Sequence, residues 1–151
     1  MANAFTRGRK HAMPVDDLAR SDVVTAEPNT SAIQLATRMR DESVGSVVIV
    51  DGPEPVGIVT DRDLTVRILA EASDPTAITA GDVMTEDLCT IEWNAGFYEA
   101  TVLMNDNGVR RLPVCRDGEL VGIITADDLF ELIADEKQQL AEVLRAQRPE
   151  Y

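Results

Sequence analysis

Two residue pairs in this sequence have the types and spacing to do chemistry: Thr60-x-x-Asp63 and Thr125-x-x-Asp128. Each closes a β-prone run, Val56-Gly57-Ile58-Val59 in one case and Val121-Gly122-Ile123-Ile124 in the other, and each opens a helical stretch. A helix N-terminus carries unpaired backbone N–H groups and a positive dipole end, which suit a phosphate. A carboxylate one turn in repels that phosphate, yet it is well made to accept two hydrogen bonds from a diol. Gly57 and Gly122 keep side chains away just before the site, so that the backbone can approach a ligand. The same residues have a second reading. Thr-x-x-Asp is also a capping box that satisfies the orphan N–H groups of its own helix, and the glycines can mark bulges.

The two pairs belong to one repeat. The offset of 65 residues between Gly57 and Gly122 holds without a gap from Asp17–Glu71 to Asp82–Glu136, pairing Thr25 with Thr90, Glu27 with Glu92, Asn29 with Asn94, Met39 with Met104, Asp41 with Asp106 and Val44 with Val109. Roughly a third of the aligned pairs are identical, which marks a tandem duplication.

Each copy predicts the elements that must position its pair. A short strand (Val23-Val24-Thr25; Leu88-Cys89-Thr90-Ile91) leads through turn and cap residues (Pro28-Asn29-Thr30; Asn94-Ala95-Gly96) to a helix. In the second copy Phe97, Ala100, Thr101 and Met104 put one apolar face on it. Two strands follow, 47–50 and 56–59 or 112–115 and 120–124, joined by Asp51-Gly52-Pro53 or Arg116-Asp117-Gly118 as a hairpin. A helix from Thr60 or Thr125 completes a β-α-β-β-α unit. The expected domains are a loose tail over 1–12, repeats over 13–72 and 78–135, a linker over 73–77 with Pro75, and a helical extension over 136–151. On that extension Leu129, Ile133, Leu140 and Leu144 continue one apolar seam until Pro149, calling for cover from a partner chain or from the companion repeat. Trp93, Phe97 and Tyr98 read as core or dimer contacts before they read as a base-stacking platform.

Composition bounds the function. The chain of 151 residues holds 27 Asp+Glu and 14 Lys+Arg, a net charge of −13, which repels nucleic acid and anionic membrane surfaces at long range. Three N-terminal cations, Arg7, Arg9 and Lys10, do not offset it. Only Lys10 and Lys137 among the basic residues are lysines; with the acidity, this suggests adaptation to high salt, for which the melting temperature is expected to rise between low and molar KCl. Unchanged stability would sink the idea. No apolar run of membrane-spanning length and no signal peptide are evident, and Cys89 and Cys115 have neither zinc nor disulfide-framework spacing, so the sequence reads as a cytoplasmic protein without a metal or a resident cofactor. Lacking a nucleophile elbow and a Lys-Ser/Thr phosphate loop, and with one histidine, His11, it is expected not to be an enzyme.

The doubled Gly-hydrophobic-hydrophobic-Thr-x-x-Asp, with Val109-Arg110-Arg111-Leu112-Pro113-Val114 on the preceding strand, resembles a tandem CBS-domain pair, or Bateman module, over residues 13–135. The resemblance implies an α/β (α+β) fold: two repeats packed as a pseudo-twofold pair, with sheets facing across a cleft. It implies a regulatory module that binds an adenosyl ligand there, whether AMP, ADP, ATP or an S-adenosylmethionine-like compound. In such a cleft Asp63 and Asp128 take the ribose, and Thr60 and Thr125 a phosphate or ribose oxygen. The adenine sits against Val24, Thr25 and Val44 in one copy and Cys89, Thr90 and Val109 in the other. Arg110 and Arg111, which replace Gly45 and Ser46, reach phosphates or remain solvated, while Arg62 serves the first copy, where the second has Asp127. On this basis the second copy looks better suited to a polyphosphate. A homodimer and an unidentified effector protein complete the expectation. The competing expectation is a dimeric scaffold whose Thr-x-x-Asp elements only cap helices.

Overall fold

The computed structural model describes residues 13–147; the expected tail over 1–12 and the Pro149 stop lie outside the described residues. The first copy comprises β1 (Thr25–Ala26), α2 (Ala32–Glu42), β2 (Ser46–Asp51), β3 (Glu54–Thr60) and α3 (Asp61–Leu64), preceded by a short helix α1 (Val15–Leu18). The second comprises β4 (Ile91–Glu92), α5 (Phe97–Asn107), β5 (Arg111–Arg116), β6 (Glu119–Thr125) and α6 (Ala126–Ala146), preceded by α4 (Ala80–Val83). Both sheets have one order, β1-β2-β3 and β4-β5-β6, with the first strand parallel to the central one and the hairpin antiparallel. Even the irregularity repeats. The hairpin register shifts between Ile49 and Val50 and, 65 residues on, between Val114 and Cys115.

Local chemistry explains these elements. Ser31 and Gln34 form a reciprocal capping box that starts α2, and its left-handed C-cap falls on Ser43, where α5 has Gly108. Asp117 and Gly118 both have positive φ, the requirement of the two-residue turn that fits a twisted hairpin. The short first strands begin two to three residues later than the sequence suggests, because only Thr25 and Ala26, or Ile91 and Glu92, reach a register partner.

The helix from Thr60 departs further from expectation. After α3 the chain widens into a π turn over Thr65–Leu69, closed by Ala70 N–H donating to the Thr65 carbonyl at 2.9 Å. Ile68, within the turn, is buried, whereas its counterpart Ile133 on the regular α6 is exposed.

Two cores result, and each borrows from the other copy. Leu35, Val47, Ile49, Val59 and Ile68 pack with Ala80 and Val83 of α4; Leu112, Val114, Ile124 and Leu129 pack with Val15 of α1. The segment before each repeat therefore crosses to its neighbour, and residues 14–20, expected within the first repeat, dock on the second. Val15 N–H donates to the Ala95 carbonyl at 2.8 Å, and Ala80 N–H to the Thr30 carbonyl at 2.7 Å, positions related by the same offset. Arg20 exchanges backbone bonds with Ile123, as Thr85 does with Ile58. The hairpin tips also meet, through Leu120 N–H and the Pro53 carbonyl at 2.9 Å. Burying a valine contributes about 2 kcal/mol. Val15→Ala, in a fully buried position, is accordingly expected to cost about 2 kcal/mol in urea unfolding, with loss of the second sheet's amide protection preceding the first's in hydrogen exchange.

Candidate functional site

At the end of β3, Thr60 caps α3 and Asp63 folds back onto it: the Asp63 Oδ2 accepts from Thr60 N at 2.8 Å and from its hydroxyl at 3.1 Å. At the end of β6 the arrangement recurs, with Asp128 Oδ2 accepting from Thr125 N at 3.0 Å and its hydroxyl at 2.8 Å. Each acid thus fills the capping role anticipated for it, on one oxygen. What surrounds the other oxygen differs between copies. Asp128 Oδ1 receives Arg20 Nη2 at 2.9 Å and Nε at 3.3 Å, whereas Asp63 Oδ1 has Arg67 Nε at 3.7 Å. Burial works to raise the Asp128 pKa, but the Thr125 hydroxyl, the Arg20 guanidinium and the Thr125 N–H together hold it below the ordinary aspartate value. The guanidinium of Arg20 is correspondingly raised, by its hydrogen bond to Asp128 and the charge behind it.

The glycines have close neighbours within the protein. A Cβ on Gly57 would stand 2.5 Å from the Met84 sulfur, and one on Gly122 3.0 Å from the Arg20 carbonyl and 3.1 Å from the Ala19 Cβ. They make room for the crossing segments. Arg67 links the same parts in the first copy, its Nη1 donating to the Val83 carbonyl at 2.8 Å.

The remaining candidates are partly gathered. Val24 and Thr25 line an open cavity of about 410 Å³ together with Asp22, Val23, Arg38 and Glu42, and Arg38 donates to the Thr25 carbonyl. Val44 is half-buried but is not among its lining residues. In the second copy Cys89 packs on the core and Thr90 is exposed, while Val109 lines a separate cavity of about 320 Å³ between α5 and α6. Cys115 is buried, and burial pushes both thiols up in pKa. Arg62 is exposed; Arg110 meets Asp127 at 3.4 Å in a pair that is solvated on both sides. Arg111 reaches across to the first copy, where its Nη2 and an Asp61 carboxylate oxygen lie 3.1 and 3.4 Å from the position a Gly45 Cβ would take. The Arg116 guanidinium covers the Trp93 ring at 4.0 Å, and Arg116 is paired in turn with Asp16.

Arg20, Arg38 and Arg67 were not anticipated as site residues. Arg67 had a signal, the acid-to-cation spacing of i,i+4 from Asp63. Arg20 had none, since 108 residues separate it from Asp128.

This duplicated strand-hairpin-helix unit, with its reciprocal crossing segments, has known relatives. A model of the CBS domain matches residues 15–70 and again 80–135. The chain belongs to the CBS-domain family. An uncharacterized protein of Methanopyrus kandleri is 39% identical over 123 residues, covering 80% of this chain and 63% of the relative, so the CBS pair spans less than two thirds of that protein. Hypoxic response protein 1 of Mycobacterium tuberculosis is 30% identical over 114 residues, covering 75% of this chain and 80% of its own. Among solved structures, the CBS domain pair of protein MJ0100, in complex with 5′-methylthioadenosine and S-adenosyl-L-methionine, superposes with a TM-score of 0.74 at 25% identity, covering 82% of this chain and 98% of that one. Hypoxic Response Protein I with two coordinated zinc ions gives a TM-score of 0.71 at 29% identity, covering 79% and 98%. In the present CBS pair no three His, Cys, Asp or Glu residues are grouped to hold a metal ion, and no helix is long and apolar enough to cross a membrane, among the described residues.

Proposed function

We propose that this CBS pair is a regulatory module that takes an adenosine-containing ligand, an adenine nucleotide or an S-adenosylmethionine-like compound, and reports its occupancy to an effector protein. The observation that carries the reading is the doubled carboxylate cradle. Asp63 and Asp128 are each fixed through Oδ2 by a capping threonine, which sets Oδ1 in a defined place, facing a ribose diol at Asp63 and bonded to Arg20 at Asp128. The MJ0100 pair, which holds two adenosyl compounds in its crystal structure, supports that ligand class. Val24, Thr25 and the adjoining cavity supply a half-apolar wall of suitable size for a base. Occupancy shifts an equilibrium only through a difference in affinity between two arrangements, and a coupling of about 1–3 kcal/mol is enough. The crossing segments provide the arrangement to be changed, because each ties one repeat's site to the other repeat's entry. No catalytic role is proposed. The module acts as a homodimer through the exposed face of α6.

One observation favours the scaffold reading: both capping boxes close entirely within their own helices. Calorimetric titration of the full chain with AMP, ATP and S-adenosylmethionine separates the two, because a scaffold gives no heat and loses only a cap when Asp63 is replaced.

A further inference from the structure

We infer that Arg20 ranks the two cradles, closing the Asp128 site to a diol while the Asp63 site stands open; the inference rests on the adenosyl reading above. A carboxylate offers about four acceptor positions. At Asp128 two donors from Thr125 fill Oδ2 and two from Arg20 fill Oδ1, the latter at 2.9 and 3.3 Å. At Asp63 the same two threonine donors fill Oδ2, but the sole cation near Oδ1 among the described residues, Arg67 Nε, stands at 3.7 Å, outside hydrogen-bond range. A ribose therefore finds a free acceptor at Asp63 and has to displace a guanidinium at Asp128.

The fold delivers that guanidinium. Arg20 is pinned by mutual backbone bonds with Ile123 at 2.9 and 3.0 Å, and its carbonyl lies against Gly122. Its side chain is 63% exposed and that of Asp128 is 12% exposed, so the contact is reachable by solvent from the arginine side and open to competition. In the first copy the corresponding position is Thr85, which has no charge to offer. The neighbouring cations do not decide the ranking: Arg111 stands with the Asp61 carboxylate beside Gly45 on the Asp63 side, and Arg110 is engaged by Asp127 on the Asp128 side. The order is the reverse of that expected from Arg110 and Arg111 in the sequence.

Titration of the full chain with AMP and, separately, with S-adenosylmethionine tests this, comparing wild type, Arg20→Met, Asp63→Asn and Asp63→Asn/Arg20→Met, each first checked for an intact melting transition. The wild type is expected to show a tight and a weak class of site, and Asp63→Asn to lose the tight one. Arg20→Met is expected to tighten the weak class roughly three- to tenfold, alone and in the Asp63→Asn background, the size expected for a partly solvated charged hydrogen bond. Two equal classes in the wild type, or weaker binding on Arg20→Met, would overturn the ranking and leave the adenosyl reading intact. Absence of heat from every variant with both probes would instead remove the adenosyl reading, and the ranking with it.

Discussion

Asp63→Ala is expected to weaken adenosyl binding by about a hundredfold, the equivalent of roughly 3 kcal/mol for two hydrogen bonds to a charged acceptor. The same substitution removes a helix cap and should cost about 1 kcal/mol of stability. The two effects have different sources and can be separated. Asp63→Asn keeps a carbonyl oxygen for Thr60 N–H, now bonded at 2.8 Å, so the cap largely survives. It gives up the charge, and its amide nitrogen cannot accept from a diol. Binding that falls with both variants while thermal stability falls mainly with alanine identifies a ligand site; stability falling with alanine and affinity unmoved in both identifies a cap. Asp82, which caps α4 against Thr79 with bonds of 2.9 Å, provides the internal control: it has the same Thr-x-x-Asp pattern and lies outside the two cradles. Asp82→Ala should cost a cap and leave affinity unchanged.

That third box shows why Thr-x-x-Asp alone was ambiguous. The motif encodes helix initiation wherever it occurs, and only its place after a buried hairpin strand distinguishes Asp63 and Asp128 from Asp82. The duplication was legible because 65-residue self-similarity is a property of the sequence itself, and the hairpins were legible from short apolar runs on either side of Asp-Gly turns. The crossing of 14–20 and 79–85 between cores was not, since a four-residue helix such as α1 has too few residues to show which core its Val15 enters. Gly57 and Gly122 are points of close approach whose protein neighbours the sequence does not reveal. Gly57 and Gly122 admit Met84 and Arg20, and nothing in a glycine specifies its neighbour. The ion pair between Arg20 and Asp128 follows from that crossing and was hidden with it. The π turn was also beyond reach, because Leu64 and Ile68 have an ordinary i,i+4 spacing that a regular helix satisfies equally well.

Phe130→Asp combined with Leu144→Asp is expected to turn a dimer into a monomer, weakening self-association by about three orders of magnitude. The seam anticipated along the last helix is present on α6, and the companion repeat does not cover it. Leu129 is buried in the second core, but Phe130 is 71% exposed, Leu144 70% and Leu140 64%, with Ile133 and Val143 about half exposed. Covering one large apolar side chain contributes about 2 kcal/mol, so removing two from an interface, each replaced by a charge, exceeds about 4 kcal/mol, a factor near a thousand. Phe130 and Ile133 also line the cavity between α5 and α6, which continues the seam inward toward Met104 and Val109. Cover by a second copy is the reading proposed above; the polar residues that flank the seam are Glu131, Asp135, Glu136 and Glu142 with Lys137 and Arg145. Neither substitution touches a core residue, so the monomer should melt in one cooperative transition and its mass be read directly by sedimentation equilibrium. A wild-type monomer at tens of micromolar would assign the seam to another protein. If the double variant binds AMP as the wild type does, the cradles are complete within one chain; a parallel loss of affinity would mean that the partner's helix helps to shape them.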